Sequence, residues 1–516
     1  MRGSFISWLK ENRTSVRSAF GMRIVSMGLG SLLGLLFPRL LVQAMGADLY
    51  GLWLTFQSVT RLGGLSDLGM GGAIALRTGQ YLGQKQDSKL RELLASARSI
   101  VLLLSSVCFL AFVALSPWLP RWLKFDSAPG SGSLTLLMIV GGMNVAVVLL
   151  AGYFHSLNFA LGTVTWPVIP TVLIGQILAP AVQVWLAIYD FPLWVQLLPY
   201  SAATIAVGAL ACSMVKWAHP WVGTIWPLGF NLKLWKELAG TSGWVYLSSI
   251  GNAIYFATDR VLILPGFGGA AVTKYFFNYK ICDLATMLIL TASFVSIPKI
   301  TQWLASGQEA EKTRALKEVN FLNTAQILMG CTAALGYLAF NDLFIALWQG
   351  AEYQMPLSLQ IAFACNLAAT TGGDAGIQVA GRCGNNGIKQ TGIAVGGTGL
   401  LNLGLSYLSM RLGFLTGIAI ATAIAQIVLS LSLGWITCRY LKLSPLSWSA
   451  KSCLLPLAVV GIGGLCRTVL KPDSVAHVIM LVVSFGLILL VAALAAGVNR
   501  EMISREWSII KGMLGR

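Results

Sequence analysis

Apolar runs of twenty or so residues, separated by short polar loops, recur along the whole chain. A membrane-crossing helix needs about 20 mostly apolar residues, since each adds about 1.5 Å towards a hydrocarbon core of roughly 30 Å. On that measure the pattern predicts about fourteen spans. They lie near residues 19–43, 50–76, 94–116, 133–157, 166–188, 194–217, 238–264, 272–298, 319–341, 355–380, 390–410, 414–438, 452–470 and 475–498. The predicted fold class is therefore an all-α polytopic membrane protein. Its loops are all short, which leaves no room for an extramembrane catalytic or sugar-binding domain.

Composition supports the same class. The 516 residues are 56 % hydrophobic and only 11 % charged, with mean hydropathy +0.74. A soluble chain of this length cannot hide that much apolar surface. The net charge of +17 would suggest nucleic acid in a soluble protein. Here the basic residues sit in short loops and tails instead. Lys85, Lys89 and Arg91, then Lys233 and Lys236, Lys312, Arg314 and Lys317, Arg382 and Lys389, and Arg439 and Lys442 all fall on the N-terminal side of the predicted topology. By the positive-inside rule that side is cytoplasmic, and an even number of spans puts both termini there. The basic N-terminal tail (Arg2, Lys10, Arg13, Arg17) precedes a first span too long for a secretory signal. The nine cysteines form no CxxC pair and read as reduced packing residues.

A weak internal repeat divides the chain. Ser26 and Gly28 match Ser249 and Gly251, and Gly46-Ala47 matches Gly269-Ala270. The loop beginning at Tyr81 resembles the loop beginning at Trp303. The offset is six spans, so the copies share one orientation and predict two pseudo-symmetric six-helix lobes with the substrate site between them. The expected organisation is an N-lobe at 1–217, a cytoplasmic linker at 218–237, a C-lobe at 238–438, and two further C-terminal helices with a cytoplasmic tail at 439–516.

Ionisable residues inside apolar spans are the candidates for function, because burying one costs roughly 2.5–3.5 kcal/mol on insertion scales. Arg61 stands roughly 16 Å into the span that starts at Tyr50. Its forked donors suit a phosphate or pyrophosphate in a central cavity, and a structural salt bridge to Asp67 is the alternative. Lys280 and Asp283 share one helix face as a self-neutralised pair, or as an anion contact and an ion site. Arg23 reads as snorkelling or as a cytoplasmic contact with lipid phosphate. Arg39 follows Pro38, which should bend the helix. Asp259-Arg260 reads as an external gate that pairs across the lobes, or as simple interfacial solvation. Asp374 lies in the Gly-rich GGDAG, as an ion-coupling site or as a hydrogen-bonded packing residue. Pro167, Pro170 and Pro180 predict an irregular fifth span. The isolated histidines His155, His219 and His477 have no ligand spacing, and no HExxH, Walker loop or usable GxSxG occurs. Neither an enzyme nor a resident cofactor or metal is expected.

The run LVQAMGADLYGLWLTFQSVTRLGGLSDLGMGGAIALRTGQYLGQ resembles the start of the bacterial polysaccharide exporters, the O-antigen and capsule repeat-unit flippases. Its Gly46-to-Gly51 turn leads into a span containing Asp67-Leu68-Gly69. A second match is LLNLGLSYLSMRLGFLTGIAIATAIAQ, with Asn402, a turn at Gly413 and the Gly417-to-Thr422 start of the next span. The resemblance implies a flippase that carries undecaprenyl-pyrophosphate-linked oligosaccharide across the bacterial cytoplasmic (inner) membrane by alternating access. It implies coupling to a proton or sodium gradient, with a polysaccharide polymerase and chain-length regulator as partners and no nucleic acid. By position it carries Arg61 and Lys280 over as cationic cavity residues; the reading of the spans adds Arg23 and Arg260 as substrate-contact candidates. Asp67, Asp283, Asp259 and Asp374 are the ion-coupling or salt-bridge candidates, and Pro38 and Arg39 the gating or hinge candidates. Lipid II flippases resemble the chain less, because the paired arginines of their second helix are here the single Arg61. A cation-coupled multidrug antiporter of the same fold stays open, as does, more remotely, a polytopic glycosyltransferase or ligase.

Overall fold

Within lipid no water is present to hydrogen-bond the backbone, so an apolar run must satisfy its own amides by forming a helix. The computed structural model bears this out along the chain. It describes residues 16–63, 86–118, 134–161, 171–218, 228–305, 308–381, 384–471 and 475–496, with the isolated residues 71, 74, 77, 78, 81 and 121. Asp67 lies outside the described residues, as do Pro167, Pro170 and His219.

The helices are α1 (Val16–Gly63), α2 (Asp87–Leu115), α3 (Leu134–Ala160), α4 (Ala179–Ile188), α5 (Leu193–Ala218), α6 (Leu232–Phe267) and α7 (Gly269–Ala305). They continue with α8 (Glu309–Trp348), α9 (Leu357–Ala380), α10 (Gly384–Arg411), α11 (Leu415–Leu441), α12 (Pro445–Ser449), α13 (Leu455–Val469) and α14 (Val475–Ala496). Ten helical segments among the described residues are long and apolar enough to cross a membrane. The protein is thus an all-α, multi-pass membrane protein. Three long helices, α6, α7 and α9, fall outside that set. α7 carries Lys280 and Asp283 in mid-length, and α9 carries Asn366, Thr370, Thr371, Asp374 and Gln378.

Two irregularities follow from residue type. α1 keeps helical angles through Pro38 and departs from them at Gly46, with φ +79° and ψ 166°. The break expected at Pro38 therefore falls eight residues later, where glycine's missing Cβ permits a positive φ. Gly268, between α6 and α7, has φ +86°. By conformation Gly46 corresponds to Gly268, one position away from the Gly269 that sequence matching pairs with it. The fifth span is irregular as its prolines suggest: a π turn, Thr171–Leu178, runs into α4, where Pro180 occupies the first turn.

The chain forms two compact units. The first comprises Met1–Ser249 and Arg260–Thr273, the second Ile250–Asp259 and Lys274–Arg516. In the first, a core of Leu90, Leu93, Leu94, Ala97, Tyr153, Leu157 and Val215 joins α2, α3 and α5. In the second, α9 packs closely on α11 through small residues. A Cβ on Gly373 would lie 2.2 Å from Ser430 Oγ, and one on Gly372 would lie 2.3 Å from the Ser452 carbonyl oxygen. Backbones this close are typical of membrane helices, where packing replaces the hydrophobic effect. The last two spans are held in the second unit by an ion pair: Arg467 Nη2 on α13 lies 2.9 Å from Asp342 Oδ2 on α8.

Candidate functional site

Asp259 is a buried carboxylate in the second unit's part of α6, with 9 % of its surface exposed. The α6 helix presents it to two neighbours. Tyr275 of α7 donates its hydroxyl to Asp259 Oδ2 at 2.6 Å. Thr422 Oγ1 of α11 lies 3.1 and 3.3 Å from the two carboxylate oxygens. The same hydroxyl is 3.2 Å from Asn402 Oδ1 on α10 and 3.1 Å from the Ile418 carbonyl oxygen. A threonine has one proton to give. Three side-chain oxygens and a carbonyl thus converge on a single hydroxyl proton, leaving the cluster rich in acceptors. Oxygen donors with one carboxylate suit a hard monovalent cation or a proton. Among the described residues no group of three His, Cys, Asp or Glu side chains is placed to hold a metal ion.

Tyr255, a turn earlier on α6, extends the cluster. Its hydroxyl lies 2.8 Å from Asn366 Oδ1 and 2.9 Å from the Thr422 carbonyl oxygen. Further along α9, Asp374 is also buried, with Ser293 donating to Oδ2, Gln326 Nε2 at 2.8 Å from Oδ2 and Gln378 Nε2 at 3.2 Å from Oδ1.

In the first unit the two positive-φ turns meet. Asp48 Oδ1 accepts from the Ala270 amide at 2.9 Å, capping the start of α7. Thr273 Oγ1 donates to the Ala47 carbonyl at 2.6 Å, and Thr55 Oγ1 lies 3.3 Å from the Arg260 carbonyl oxygen. A Cβ on Gly51 would stand 1.9 Å from the Gly269 carbonyl oxygen, so only glycine lets these backbones meet. Asp259 faces Tyr275 and Thr422, while the Arg260 carbonyl meets Thr55 in the junction of the turns.

The remaining predicted residues are placed as follows. Arg61 is an exposed residue of the last turn of α1. Lys280 Nζ pairs with Asp283 Oδ2 at 3.1 Å and lies 5.8 Å from the Phe276 ring centre, which is the self-neutralised arrangement. Pro38 is buried and Arg39 exposed. Arg23 lies in α1, and its side chain is outside the described residues.

Several polar residues escape a reading based on charge alone. Tyr275, Tyr255 and Gln326 carry no formal charge, and Thr422 and Asn402 stand out only as parts of a motif. On α9 a positional signal does exist: Asn366, Thr370, Asp374 and Gln378 recur every fourth residue, which places them on one face of the helix. Arg98, 5 % exposed on α2, was also missed; its Nε donates to the Leu94 carbonyl at 3.1 Å.

The all-helical multi-pass bundle has counterparts among solved structures. The lipid II flippase MurJ in an inward closed conformation matches with a TM-score of 0.65 at 16 % identity, over 95 % of this chain and 99 % of that one. The Vibrio cholerae MATE transporter VcmN in its bent form matches at 0.53 and 14 %, over 83 % and 97 %. A MOP superfamily transporter from Pyrococcus furiosus matches at 0.52 and 16 %, over 83 % and 96 %. The fold is the one that these solved transporters share. Residues 18–304 match the profile of the polysaccharide biosynthesis protein family, and the chain belongs to that family. No curated protein sequence matches it.

Proposed function

We propose that the protein is a flippase for undecaprenyl-pyrophosphate-linked oligosaccharide repeat units, moving them from the cytoplasmic to the outer leaflet of a bacterial inner membrane. The observation that carries this reading is the match of residues 18–304 to the polysaccharide biosynthesis family. In it, fourteen spans form two six-helix lobes plus two, with both termini in the cytoplasm. Arg61 meets the pyrophosphate, the glycan occupies the cavity and the polyprenyl tail stays in lipid. Asp259, with Thr422, Asn402 and Tyr275, takes up the coupling cation. The junction of Asp48, Gly51, Gly269 and Ala270 serves as the external closure that must part when the cavity opens outward.

The test is a leaflet assay. Purified protein is reconstituted in liposomes with labelled undecaprenyl-pyrophosphate oligosaccharide, and an impermeant glycosidase reports what reaches the outside. Protein-dependent exposure, abolished in Arg61→Ala and partly kept in Arg61→Lys, is the expected result. Near-wild-type exposure for Arg61→Ala at matched reconstitution would remove the pyrophosphate role of this residue.

A lipid II flippase is the second reading, favoured by the extent of the MurJ match. Running the same assay with lipid II separates the two, since the preferred substrate should be exposed faster.

A further inference from the structure

The polar residues of the second unit continue beyond Asp259 as a seam. On α9 they are Asn366, Thr370, Asp374 and Gln378, and on the facing α11 they are Thr422, Gln426 and Ser430, each four residues apart. Residues at that spacing share one helix face. The two faces are stitched together: Ser430 Oγ donates to the Ala369 carbonyl at 3.0 Å and Thr437 Oγ1 to the Gly376 carbonyl at 2.7 Å. One end of the seam is the Asp259 cluster, reached through Thr422 and through Tyr255 and Asn366. Thr370 Oγ1 is 3.4 Å from Asn366 Oδ1. The other end is Asp374, which lies roughly 12 Å beyond Asn366 along α9.

Hydroxyls and amides suffice to glue membrane helices, so a carboxylate at the end of such a seam needs a further reason. Its surroundings supply one. Gln326 is fully buried; its Nε2 reaches both Asp374 Oδ2 and, at 2.7 Å, Ser293 Oγ. Its Oε1 finds no hydrogen-bond donor among the described residues. A half-turn of that amide exchanges Nε2 for Oε1 and faces a carbonyl oxygen towards the carboxylate and the serine. The carboxylate, the hydroxyl and the amide then offer four oxygens and a single negative charge, with no nitrogen or sulfur ligand. That is a donor set for a hard monovalent ion.

We propose that Asp374, Ser293 and Gln326 form a second alkali-cation site, joined to the Asp259 site by the seam. The proposal rests on the reading of Asp259 as a coupling site and adds a second stop for the ion. At saturation each chain holds one sodium ion at each end of the seam.

The test is equilibrium binding of radioactive sodium to the purified full-length protein in nanodiscs. Wild type should bind two ions per chain, and Asp374→Asn and Asp259→Asn one each. Ser293→Ala keeps the carboxylate and should weaken one site by about tenfold or more while leaving the other unchanged. Wild-type stoichiometry in Asp374→Asn overturns the proposal. So does a single ion in wild type that is lost only in Asp259→Asn, a result that leaves coupling at Asp259 standing. Absence of sodium binding in wild type overturns both sites. Failure of the leaflet assay alongside two bound ions would overturn the flippase reading and leave this one intact.

Discussion

At the scale of single residues, the chemistry gathers around uncharged partners of two carboxylates. Asp259→Asn preserves shape and removes the charge that attracts a cation. The expected outcome is a folded protein whose oligosaccharide exposure no longer responds to an imposed sodium gradient, measured in the leaflet assay. Tyr275→Phe deletes one hydrogen bond to that carboxylate, an interaction worth about 1.5–3 kcal/mol. It should lower the thermal midpoint in detergent while leaving some gradient response. Both carboxylates were visible in the sequence because charge in an apolar run is rare. Tyr275 was not, because nothing in a tyrosine's neighbours along the chain tells which carboxylate it meets.

At the scale of helices, glycines decide how closely elements approach. Gly51→Ala places a methyl group 1.9 Å from the Gly269 carbonyl oxygen, and overpacking of this kind costs about 1–3 kcal/mol. Thermal melts should show that loss. Gly152→Ala, where a Cβ would meet nothing within 4 Å, should be neutral or stabilising by up to about 1 kcal/mol through helix propensity. The ion pair between α8 and α13 gives a second check. Asp342 is about a third exposed, so Asp342→Ala should cost roughly 1–3 kcal/mol, below the range for fully buried pairs. The double variant Asp342→Leu with Arg467→Leu should recover part of that loss. Helix existence was legible from apolar length alone. The location of the break in α1 was not: Pro38 carries the stronger sequence signal, yet a proline can be accommodated in a helix, and Gly46 is where the backbone takes a positive φ.

At the scale of the whole molecule, the proposed external closure predicts that the turn at 46–51 and the turn at 268–273 separate and rejoin. Cysteines replacing Asp48 and Ala270, in a background with the native cysteines removed, should cross-link under oxidation. Transport should stop when the bond forms and return on reduction; transport that continues at full rate with the bond complete would show that these turns do not part. The likeness of Gly46-Ala47 to Gly269-Ala270 was legible in the sequence. The contact itself was not, because residues 222 positions apart come together only through the fold.

The tie between Arg467 and Asp342 has a consequence in time. The two residues are 125 positions apart, and a ribosome adds about 5–20 residues per second. Asp342 is thus made roughly 6–25 s before its guanidinium partner. During that interval the growing chain holds an acid whose cation has yet to be synthesised. A transcript cut short before codon 467 would make that interval permanent, and its product should be cleared by membrane quality control faster than the full-length chain.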